Sequence, residues 1–531
     1  MRRAISLLAA AVLGQTAFAQ LQAPPVPQEN PITESKRVLG KALFWDEQLS
    51  SDNTVSCGTC HMPSAGGGDP RSGADFINPG PDGIVGTRDD LFGSPGTVLQ
   101  NSNHEFVPDE VFGFQPQVSG RTASTVIGAA YFDELFWDGR ASGSFVDPET
   151  GTMLIQSGGA LESQALGPIL SPSEMASEGR TWDDVRGKLE DARPLALAWD
   201  LPPDLQDALT GVETYPELFT DAFGDGDITA SRIAFAIATY ERTLVPNRTP
   251  LDSFRSGNLD ALTPDQLAGF DAFWDAEARC ISCHIPPLFA DGSYRNIGRR
   301  SVHDDLGRAG VTARHGDRGR FKVPTLRNSG LRKTLFHDGE ATTMLDAVLF
   351  YNESGSTYPD NVDPEVGPIS MTPRMAHNVA DFVENALTDP RVAAEQPPFD
   401  RPKLNSERPQ PNPEMLGGQT PGSGGHSPGM IALSPPLIGS ADFRVGVFNA
   451  LGGARAFLAA SIGSPARARW VRIGLGTLSG SGAGQGYGTF DMPIPTDPSL
   501  IGLELWIQAW VADPGSPSGH ALSPIAHLTV F

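Results

Sequence analysis

Two copies of the motif Cys-x-x-Cys-His place the strongest constraint on what this chain can fold into. They lie at residues 57–61 and 280–284, and together they contain all four cysteines of the sequence. This spacing attaches c-type haem, because two thiols bond to the haem edge while the following histidine reaches the iron. A zinc site and a pair of thiol redox motifs are the alternatives, but zinc needs four ligands drawn together, and a thioredoxin-like pair needs no following histidine. The expected haem-binding residues are Cys57, Cys60, His61, Cys280, Cys283 and His284.

The distance between the motifs and the local patterning predict several domains. More than 200 residues separate the motifs, so each haem is expected to have its own helical domain. Helical spacing of apolar residues fits this, and Thr263-Pro264 is a typical start for a helix running into Cys280. Apolar residues alternate from Leu503 to Val511, which is typical of a strand. We therefore predict a mainly α fold of two c-type cytochrome haem domains followed by an all-β sandwich-like domain. The expected bounds are 30–245 for the N-terminal haem domain, which carries long loops, 246–395 for the C-terminal haem domain, 396–430 for a Pro/Gly-rich linker and 431–531 for the sandwich.

The N-terminus predicts export. Two arginines precede the apolar run 5–13, and Ala17-Phe18-Ala19 follows as a small-x-small cleavage site, so residues 1–19 are expected to be a signal peptide. A membrane anchor is the alternative, but the run is short and no later stretch is long and apolar enough to span a bilayer. The mature protein is expected to be periplasmic or secreted.

The composition restricts the partners. The 531 residues contain 39 Lys and Arg against 63 Asp and Glu, a formal net charge of −24. This balance argues against nucleic acid and favours a basic protein or a small neutral or cationic molecule.

The sequence around both motifs resembles the bacterial di-haem cytochrome c peroxidase family. The resemblance covers about residues 30–395 and is carried by the approach to the first motif (39–57) and by three recognisable segments. These segments are Phe136–Arg140, Phe321–Asn328 and Phe336–Gly339.

The resemblance implies a division of labour between the haems. In the family the N-terminal haem reacts with hydrogen peroxide, and the C-terminal haem passes on electrons from a small donor protein, a c-type cytochrome or a cupredoxin. By resemblance His61 and His284 are the proximal iron ligands, and Trp137 lies between the haems. Gln164, Pro168 and Glu174 match the distal pattern, which makes Glu174 the acid/base and Gln164 its partner in orienting peroxide.

A role for Glu174 in proton transfer can also be argued from chemistry, apart from the resemblance. Peroxide cleavage needs a proton moved from one oxygen to the other, and a carboxylate with a pKa raised by burial is able to do this. The alternative is a solvated carboxylate at a helix start, because residues 171–174 also read as an N-terminal cap.

The distal ligand of the second haem separates branches of the family. Classical members use methionine there, whereas this chain has Tyr351, which resembles the MauG-type branch. A phenolate stabilises oxidised iron and lowers the potential. Met344 is the rival ligand, since it lies seven residues earlier on the same helix face, and Met371 and Met375 are weaker rivals. A buried tyrosine with a satisfied hydroxyl is the remaining alternative.

Several features depart from the family pattern. An insertion over 142–160 is expected to reshape the pocket entrance, and His104, the nearest candidate for capping the first iron, is expected to be a solvated loop residue. The family binds Ca²⁺ between the haems, but this chain has Thr122 and Arg332-Lys333-Thr334 at the matching places. A guanidinium is able to replace the charge of a cation, so calcium is not expected there.

Three functions remain open on sequence grounds. The first is a di-haem peroxidase in which peroxide reacts at the N-terminal haem. The second is a MauG-type oxidase that uses high-valent di-haem iron to oxidise a protein or organic substrate. The third is a non-catalytic electron-transfer or surface-binding cytochrome. Glu174 and Gln164 argue against the third, because a pure carrier needs no distal acid/base.

Overall fold

A computed structural model describes residues 21–352, 357–366, 369–462 and 469–531. The expected signal peptide, residues 1–19, lies outside these ranges. Among the described residues, no helix combines the length and the apolar character needed to cross a bilayer.

The region before residue 395 is mainly helical in its regular structure, as predicted. Its helices are α1 Glu34–Trp45, α2 Cys57–Cys60, α3 Ala160–Ala165, α4 Trp182–Asp191, α5 Pro203–Ala208, α6 Tyr215–Phe223, α7 Ala230–Glu241, α8 Pro250–Arg255, α9 Pro264–Phe273, α10 Ala309–Thr312, α11 Met344–Asn352, α12 Pro373–Asp381 and α13 Pro390–Ala393.

Helix α9 begins as the capping box predicts but ends earlier than expected. Thr263 accepts a hydrogen bond from the backbone N–H of Gln266, and the Gln266 side chain returns the contact. The helix stops at Phe273, and the chain then turns, with Arg279 at φ 54° in the left-handed region. Cys280 therefore begins a separate turn and does not continue α9.

The helical region contains two separate cores, each built around one crossing of long helices. In the first core α1 packs on α7, and a Cβ on Gly40 would lie 1.9 Å from the carbonyl oxygen of Ala236. In the second, α9 packs on α12, and a Cβ on Gly269 would lie 2.0 Å from the carbonyl oxygen of Asn378. Glycine is thus required at both crossings, because the backbones approach too closely for any side chain.

The two helical units share a repeated loop. Residues 127–141 and 327–341 have the same succession of a turn, a short 3₁₀ helix, a tight bend and an isolated bridge. Phe136 and Phe336 occupy the left-handed region at corresponding places, with φ 65° and 63°. A non-glycine residue adopts this conformation rarely, so the shared geometry indicates the same local constraint in both units.

The C-terminal region is rich in sheet, as predicted. Its strands are β7 Glu414–Leu416, β8 Gly429–Ile431, β9 Arg444–Gly452, β10 Arg455–Ile462, β11 Val471–Thr477, β12 Gly482–Asp491, β13 Glu504–Ala512, β14 His520–Leu522 and β15 Ile525–Thr529. One sheet has the order β11-β10-β13-β15-β7, with β14 also paired to β13, and a second has the order β12-β9-β8. The two sheets share a core that includes Val445, Leu458, Phe490 and Ile507.

The prediction of a linker over 396–430 is wrong. Phe399 and Leu404 are buried in the first core, because the chain returns to the N-terminal unit after α13. Further on, β7 pairs with β15, and β8 pairs with β9. The Pro and Gly residues of this segment shape turns between buried contacts, so composition alone misidentifies it as a spacer.

The described part of the helical region contains three two-stranded antiparallel sheets. Their strands are β1 Pro95–Val98 with β2 Pro116–Val118, β3 Phe145–Val146 with β4 Met153–Ile155, and β5 Tyr294–Arg295 with β6 Phe321–Lys322. The loop between β1 and β2 reaches the C-terminal sheets, where Phe106 packs with Ile431 and its N–H donates to Thr489 Oγ1 at 2.8 Å.

A buried ion pair supports the second core. Arg327 donates to both carboxylate oxygens of Asp252 at 2.8 Å and also to the carbonyl oxygens of Pro246 and Pro287. Both side chains are at least nine-tenths buried. Truncation of the arginine leaves an uncompensated buried carboxylate, which is more costly than loss of an exposed pair.

We expect Arg327→Ala to lower the free energy of unfolding by about 3–5 kcal/mol, because Asp252 loses its partner in a buried setting. Guanidinium unfolding followed by circular dichroism measures this. The matched control is Arg374→Ala, whose side chain is 85% exposed and lies 3.9 Å from Asp265, and its effect is expected to stay below about 1 kcal/mol. Equal effects of the two substitutions would contradict a structural role for the Arg327 pair.

Candidate functional site

The first Cys-x-x-Cys-His motif opens onto a cavity of about 690 Å³. Cys57 and Cys60 lie on the single turn α2, which is fixed by a capping box between Ser56 and Thr59. Nδ1 of His61 lies 3.1 Å from the carbonyl oxygen of Gly67, and burial lowers the pKa of the imidazole. A neutral ring held at Nδ1 leaves Nε2 for an iron, the arrangement usual for a metal-binding histidine.

The residues expected on the distal side line the same cavity. Gln164 lies on α3, Pro168 begins the following 3₁₀ turn, and Glu174 comes after that turn. Burial raises the pKa of the Glu174 carboxyl, while a hydrogen bond from Ser171 and the charge of Arg140 oppose the shift. The cavity thus combines a histidine, an amide and a carboxyl whose pKa is raised by burial.

Glu241 is a buried carboxyl in this cavity, whereas Glu174 is half-buried, and the sequence analysis did not identify Glu241. It is 2% exposed, its Oε2 is buried without a hydrogen-bond partner, and burial raises its pKa to about 8. A sequence signal was present, because Glu241 follows Ile237 by four residues and so extends the apolar face of α7.

The second motif opens onto a narrower cavity of about 200 Å³. Cys280 and Cys283 lie on and just after a 3₁₀ turn, and Nδ1 of His284 lies 2.9 Å from the carbonyl oxygen of Phe289. Burial lowers the pKa of this histidine as well. Both imidazole rings are therefore held at Nδ1 by a backbone carbonyl and have a lowered pKa.

The candidate distal ligands of the second haem meet in this narrower cavity. Tyr351 and Met344, both on α11, line it together with Met371. Burial raises the pKa of the Tyr351 phenol. Met375 is absent from the lining and packs on the second core instead, so its inclusion among the rivals was wrong.

Trp137 lines both cavities. Its indole N–H donates to the carbonyl oxygen of Thr122 at 2.9 Å, and its own carbonyl accepts from the Lys322 N–H at 2.8 Å. Its ring meets the ring of His337 edge to face, with the centroids 6.1 Å apart. Backbone contacts to both units therefore hold this side chain between the two cavities.

The two cavities fit haem on the chemistry of their linings. Each has two cysteines, which are free thiols, and one histidine held at Nδ1. In the second cavity His337 is buried, its Nε2 has no hydrogen-bond partner, and burial lowers its pKa to about 4. An acidic group of a bound cofactor would satisfy this nitrogen. Haem held in the cavities would be bound by Cys57, Cys60 and His61 in one and by Cys280, Cys283 and His284 in the other.

The guanidinium of Arg332 lies at the place that matches the calcium site of the family. Arg332 donates from Nη2 to the carbonyl oxygen of Ala123 at 2.7 Å and from Nε to that of Thr334 at 3.4 Å. Thr122 Oγ1 donates to the carbonyl oxygen of Phe336 at 2.8 Å. Burial lowers the pKa of Arg332 to about 10, which leaves it charged at neutral pH. The carbonyl oxygens of Ala123 and Thr334 therefore already contact a positively charged group.

Two expectations about the surroundings of the first cavity are wrong. The insertion over 142–160 does not line the cavity, because its hairpin packs Phe145 and Ile155 against Ala234 of α7. His104 is half-buried, with Nδ1 buried and unpartnered, because the C-terminal sheets cover its loop. It lies in the cleft between the helical and sheet regions and also does not line the first cavity.

The chain is similar to proteins of known family. The family model "Di-haem cytochrome c peroxidase" matches residues 34–260. The chain is 30% identical over 379 residues to "Methylamine utilization protein MauG" of Methylorubrum extorquens, covering 70% of this chain and 84% of the relative. It is 28% identical over 328 residues to "Cytochrome c551 peroxidase" of Nitrosomonas europaea, covering 61% of this chain and 75% of that protein.

A solved structure has a similar fold. It is titled as a MauG-like protein associated with microbial copper homeostasis, and it is 20% identical to this chain with a TM-score of 0.52. The likeness covers 73% of this chain and 97% of that one. The paired haem-attachment motifs, the tryptophan between the two cavities and the extent of the match to named relatives lead to one conclusion: this chain belongs to the di-haem cytochrome c peroxidase and MauG family of haem-dependent oxidoreductases.

Proposed function

We propose that this protein reduces hydrogen peroxide at the first cavity with electrons that arrive from the second cavity through Trp137. The observation that carries the proposal is the meeting of His61, Gln164 and Glu174 in one cavity, with Trp137 as a wall shared with the other. A carrier protein would need neither the amide nor the carboxyl.

Reduction of one peroxide to two waters consumes two electrons and two protons. When bound, the haem supplies the redox-active iron at which the oxygen–oxygen bond breaks. The Glu174 carboxylate takes a proton from one peroxide oxygen and returns it to the other, which leaves as water. The Gln164 side-chain amide orients the peroxide, and Pro168 shapes the turn between these residues. Burial of Glu174 serves this role, because a raised pKa brings the carboxyl closer to the working pH.

Trp137 is proposed to carry electrons between the cavities. It is half-buried, and its indole N–H is hydrogen-bonded, so the ring is held in one orientation. The positive charge of Arg332 next to the second cavity lies in the same region and is fixed by two carbonyls. We also propose that this guanidinium takes the place of the family's calcium ion.

Tyr351 is proposed as the distal ligand of the second haem. Its place in the cavity lining supports this role, and Met344 is the rival because it lines the same space. This ligand favours a second candidate function, a MauG-type oxidase that acts on a protein or organic substrate, because an anionic oxygen ligand stabilises oxidised iron.

Export to the periplasm or beyond is part of the proposal. The two Cys-x-x-Cys-His motifs, whose spacing is typical of covalent haem attachment, and the signal-like N-terminus support it. The proposed electron source is a small c-type cytochrome or cupredoxin.

We expect Glu174→Gln to lower the turnover number with peroxide by about 10²- to 10⁴-fold, because the amide cannot shuttle a proton. Steady-state peroxide consumption measures this, and haem content is checked by absorbance. Glu178→Gln is the matched control, since Glu178 is exposed and does not line the cavity. A Glu174→Gln variant as active as this control would exclude the acid/base role.

The pH profile provides an independent check on Glu174. Burial raises its pKa above 4.5, and the carboxyl must be ionised to accept the first proton. Activity is therefore expected to fall as the pH drops through this raised value, and the acid limb of kcat/KM is expected to disappear in Glu174→Gln. An unchanged acid limb in the variant would assign the titration to another group.

Tyr351→Phe is expected to shift the reduction potential and the optical spectrum of one haem, because an oxygen ligand is lost. Met344→Leu is the matched variant in the same cavity and is expected to leave both unchanged. Spectroelectrochemical titration distinguishes the two. The reverse outcome would make Met344 the ligand and remove the support for the MauG-type branch.

Addition of peroxide to the fully oxidised protein separates the two candidate functions. Optical and Mössbauer changes at both haems without prior reduction are expected of the MauG-type oxidase. A requirement for one-electron reduction beforehand is expected of the peroxidase. A protein unreactive in both states would contradict both functions.

A further inference from the structure

The segment that carries Glu174 is held by a neighbouring part of the chain, residues 95–118. We call these residues the arm; they comprise β1, β2 and the loop between them. The N–H of Thr97 donates to the carbonyl oxygen of Glu174 at 3.1 Å, and the N–H of Glu178 donates to the carbonyl oxygen of Gln100 at 2.8 Å. The arm therefore contacts the backbone of the proposed acid/base itself.

Gly96 brings the arm very close to Glu174. A Cβ on Gly96 would lie 2.3 Å from the carbonyl oxygen of Ser173 and 2.8 Å from the Cα of Glu174. Glycine is needed here, because no side chain fits between two backbones at this distance. Gly96, Ser173 and Glu174 also line the first cavity together. A displacement of the arm would therefore displace the backbone of Glu174 relative to this cavity.

The far end of the arm packs on the three-stranded sheet β12-β9-β8. Phe106 is buried, its ring packs with Ile431, and its N–H donates to Thr489 Oγ1 at 2.8 Å. A Cβ on Gly446 would lie 2.8 Å from Cδ2 of Phe106, so this glycine of β9 makes room for the ring. The arm is thus fixed to the C-terminal region by an apolar contact and a hydrogen bond.

The arm covers the face of this sheet that is turned away from the C-terminal core. Along β9, Val445 and Val447 are buried in the core that the two sheets share. Side chains alternate between the faces of a strand, so Gly446 and Phe448 belong to the opposite face. Phe114 of the arm packs on Phe448, with the ring centroids 5.1 Å apart. The sheet therefore connects the C-terminal core to the arm.

We propose that the C-terminal sheets position Glu174 through the arm, with Phe106 and Gly446 as positioning residues. The proposal rests on the proposed function, in which Glu174 moves a proton between the two peroxide oxygens. It gives the C-terminal region a part in the reaction, although no residue of its sheets is among the described residues that line the first cavity. Placement matters at this site, because a displacement of about 1 Å is able to lower a rate by about 10²-fold.

The first test is Phe106→Ala in the complete di-haem protein, which removes the ring that fixes the arm to the sheet. We expect kcat for peroxide to fall about 10- to 100-fold, because Glu174 is no longer held in place. Phe457→Ala is the matched control, since Phe457 is half-buried against Trp510 in the other sheet, and it is expected to leave kcat unchanged. Gly446→Ala is a second variant, which keeps Phe106 but presses on its ring from the sheet side. Activities are normalised to haem content.

A double substitution separates positioning from general support of the fold. Phe106→Ala is introduced into Glu174→Gln, where no carboxylate remains to be positioned. We expect it to lower the remaining kcat by less than about twofold there, because effects of residues that act through one another do not add. Phe106→Leu keeps an apolar side chain on Ile431 and is expected to restore most of the activity in the Glu174 background. An equal loss from Phe106→Ala in both backgrounds would overturn the proposal, and so would equal activities of Phe106→Ala and Phe457→Ala.

The pH profile gives a second readout. Burial raises the pKa of Glu174, while Ser171 and Arg140, neither of which belongs to the arm, oppose the shift. A carboxyl released by the arm becomes more exposed, so its pKa falls and the acid limb of kcat/KM moves to lower pH in Phe106→Ala. A loss of folded protein would lower activity equally at every pH, and an unmoved acid limb would therefore contradict the proposal.

Hydrogen exchange, measured by mass spectrometry without peroxide, distinguishes this proposal from the proposed function. Peptides that contain the amides of Thr97 and Glu178 are expected to exchange at least about fivefold faster in Phe106→Ala and Gly446→Ala than in Phe457→Ala, because the arm opens locally. This result would support positioning by the sheets even if Glu174→Gln were fully active, an outcome that would overturn the proposed function. Unchanged exchange in both arm variants would overturn the positioning and leave the proposed function intact.

Discussion

The architecture depends on two hydrogen bonds that orient two imidazole rings. Nδ1 of His61 meets the carbonyl oxygen of Gly67, and Nδ1 of His284 meets that of Phe289. Each bond directs the opposite nitrogen towards a cavity whose rim holds the two cysteines of the same motif. Cys57 packs on the first core and Cys280 on the second, so a haem bonded at three points would tie each motif to its helical core.

The repeated loop explains how two similar units acquire different chemistry. Trp137 and His337 occupy corresponding places in residues 127–141 and 327–341, and their rings touch edge to face. The backbone is repeated, but the side chains differ. The first cavity contains Gln164 and Glu174, the residues proposed to act on peroxide, whereas the second contains the candidate ligands Tyr351 and Met344. A shared backbone arrangement thus holds two differently lined cavities on the two sides of one tryptophan.

The residues that sequence reasoning located were those with a local signature. The cysteine motifs and the capping box at Thr263 depend on spacing within a few residues, so they can be recognised from the sequence without tertiary structure. Glu241 and His104 acquire their properties from distant segments, through burial by the first cavity wall and by the C-terminal sheets. Likewise, the pairing of Glu414–Leu416 with the last strand depends on a partner more than 100 residues away. The Pro/Gly-rich composition of residues 396–430 therefore led to the wrong prediction of a linker.

The central claim is that two haems are covalently bound on opposite sides of Trp137. Intact-mass spectrometry combined with the pyridine haemochrome spectrum of the protein, made in a host with haem-attachment machinery, tests it most directly. The account predicts the mass of the processed polypeptide plus two haems and a spectrum with both vinyl groups saturated. A colourless product with the mass of the bare polypeptide would contradict it.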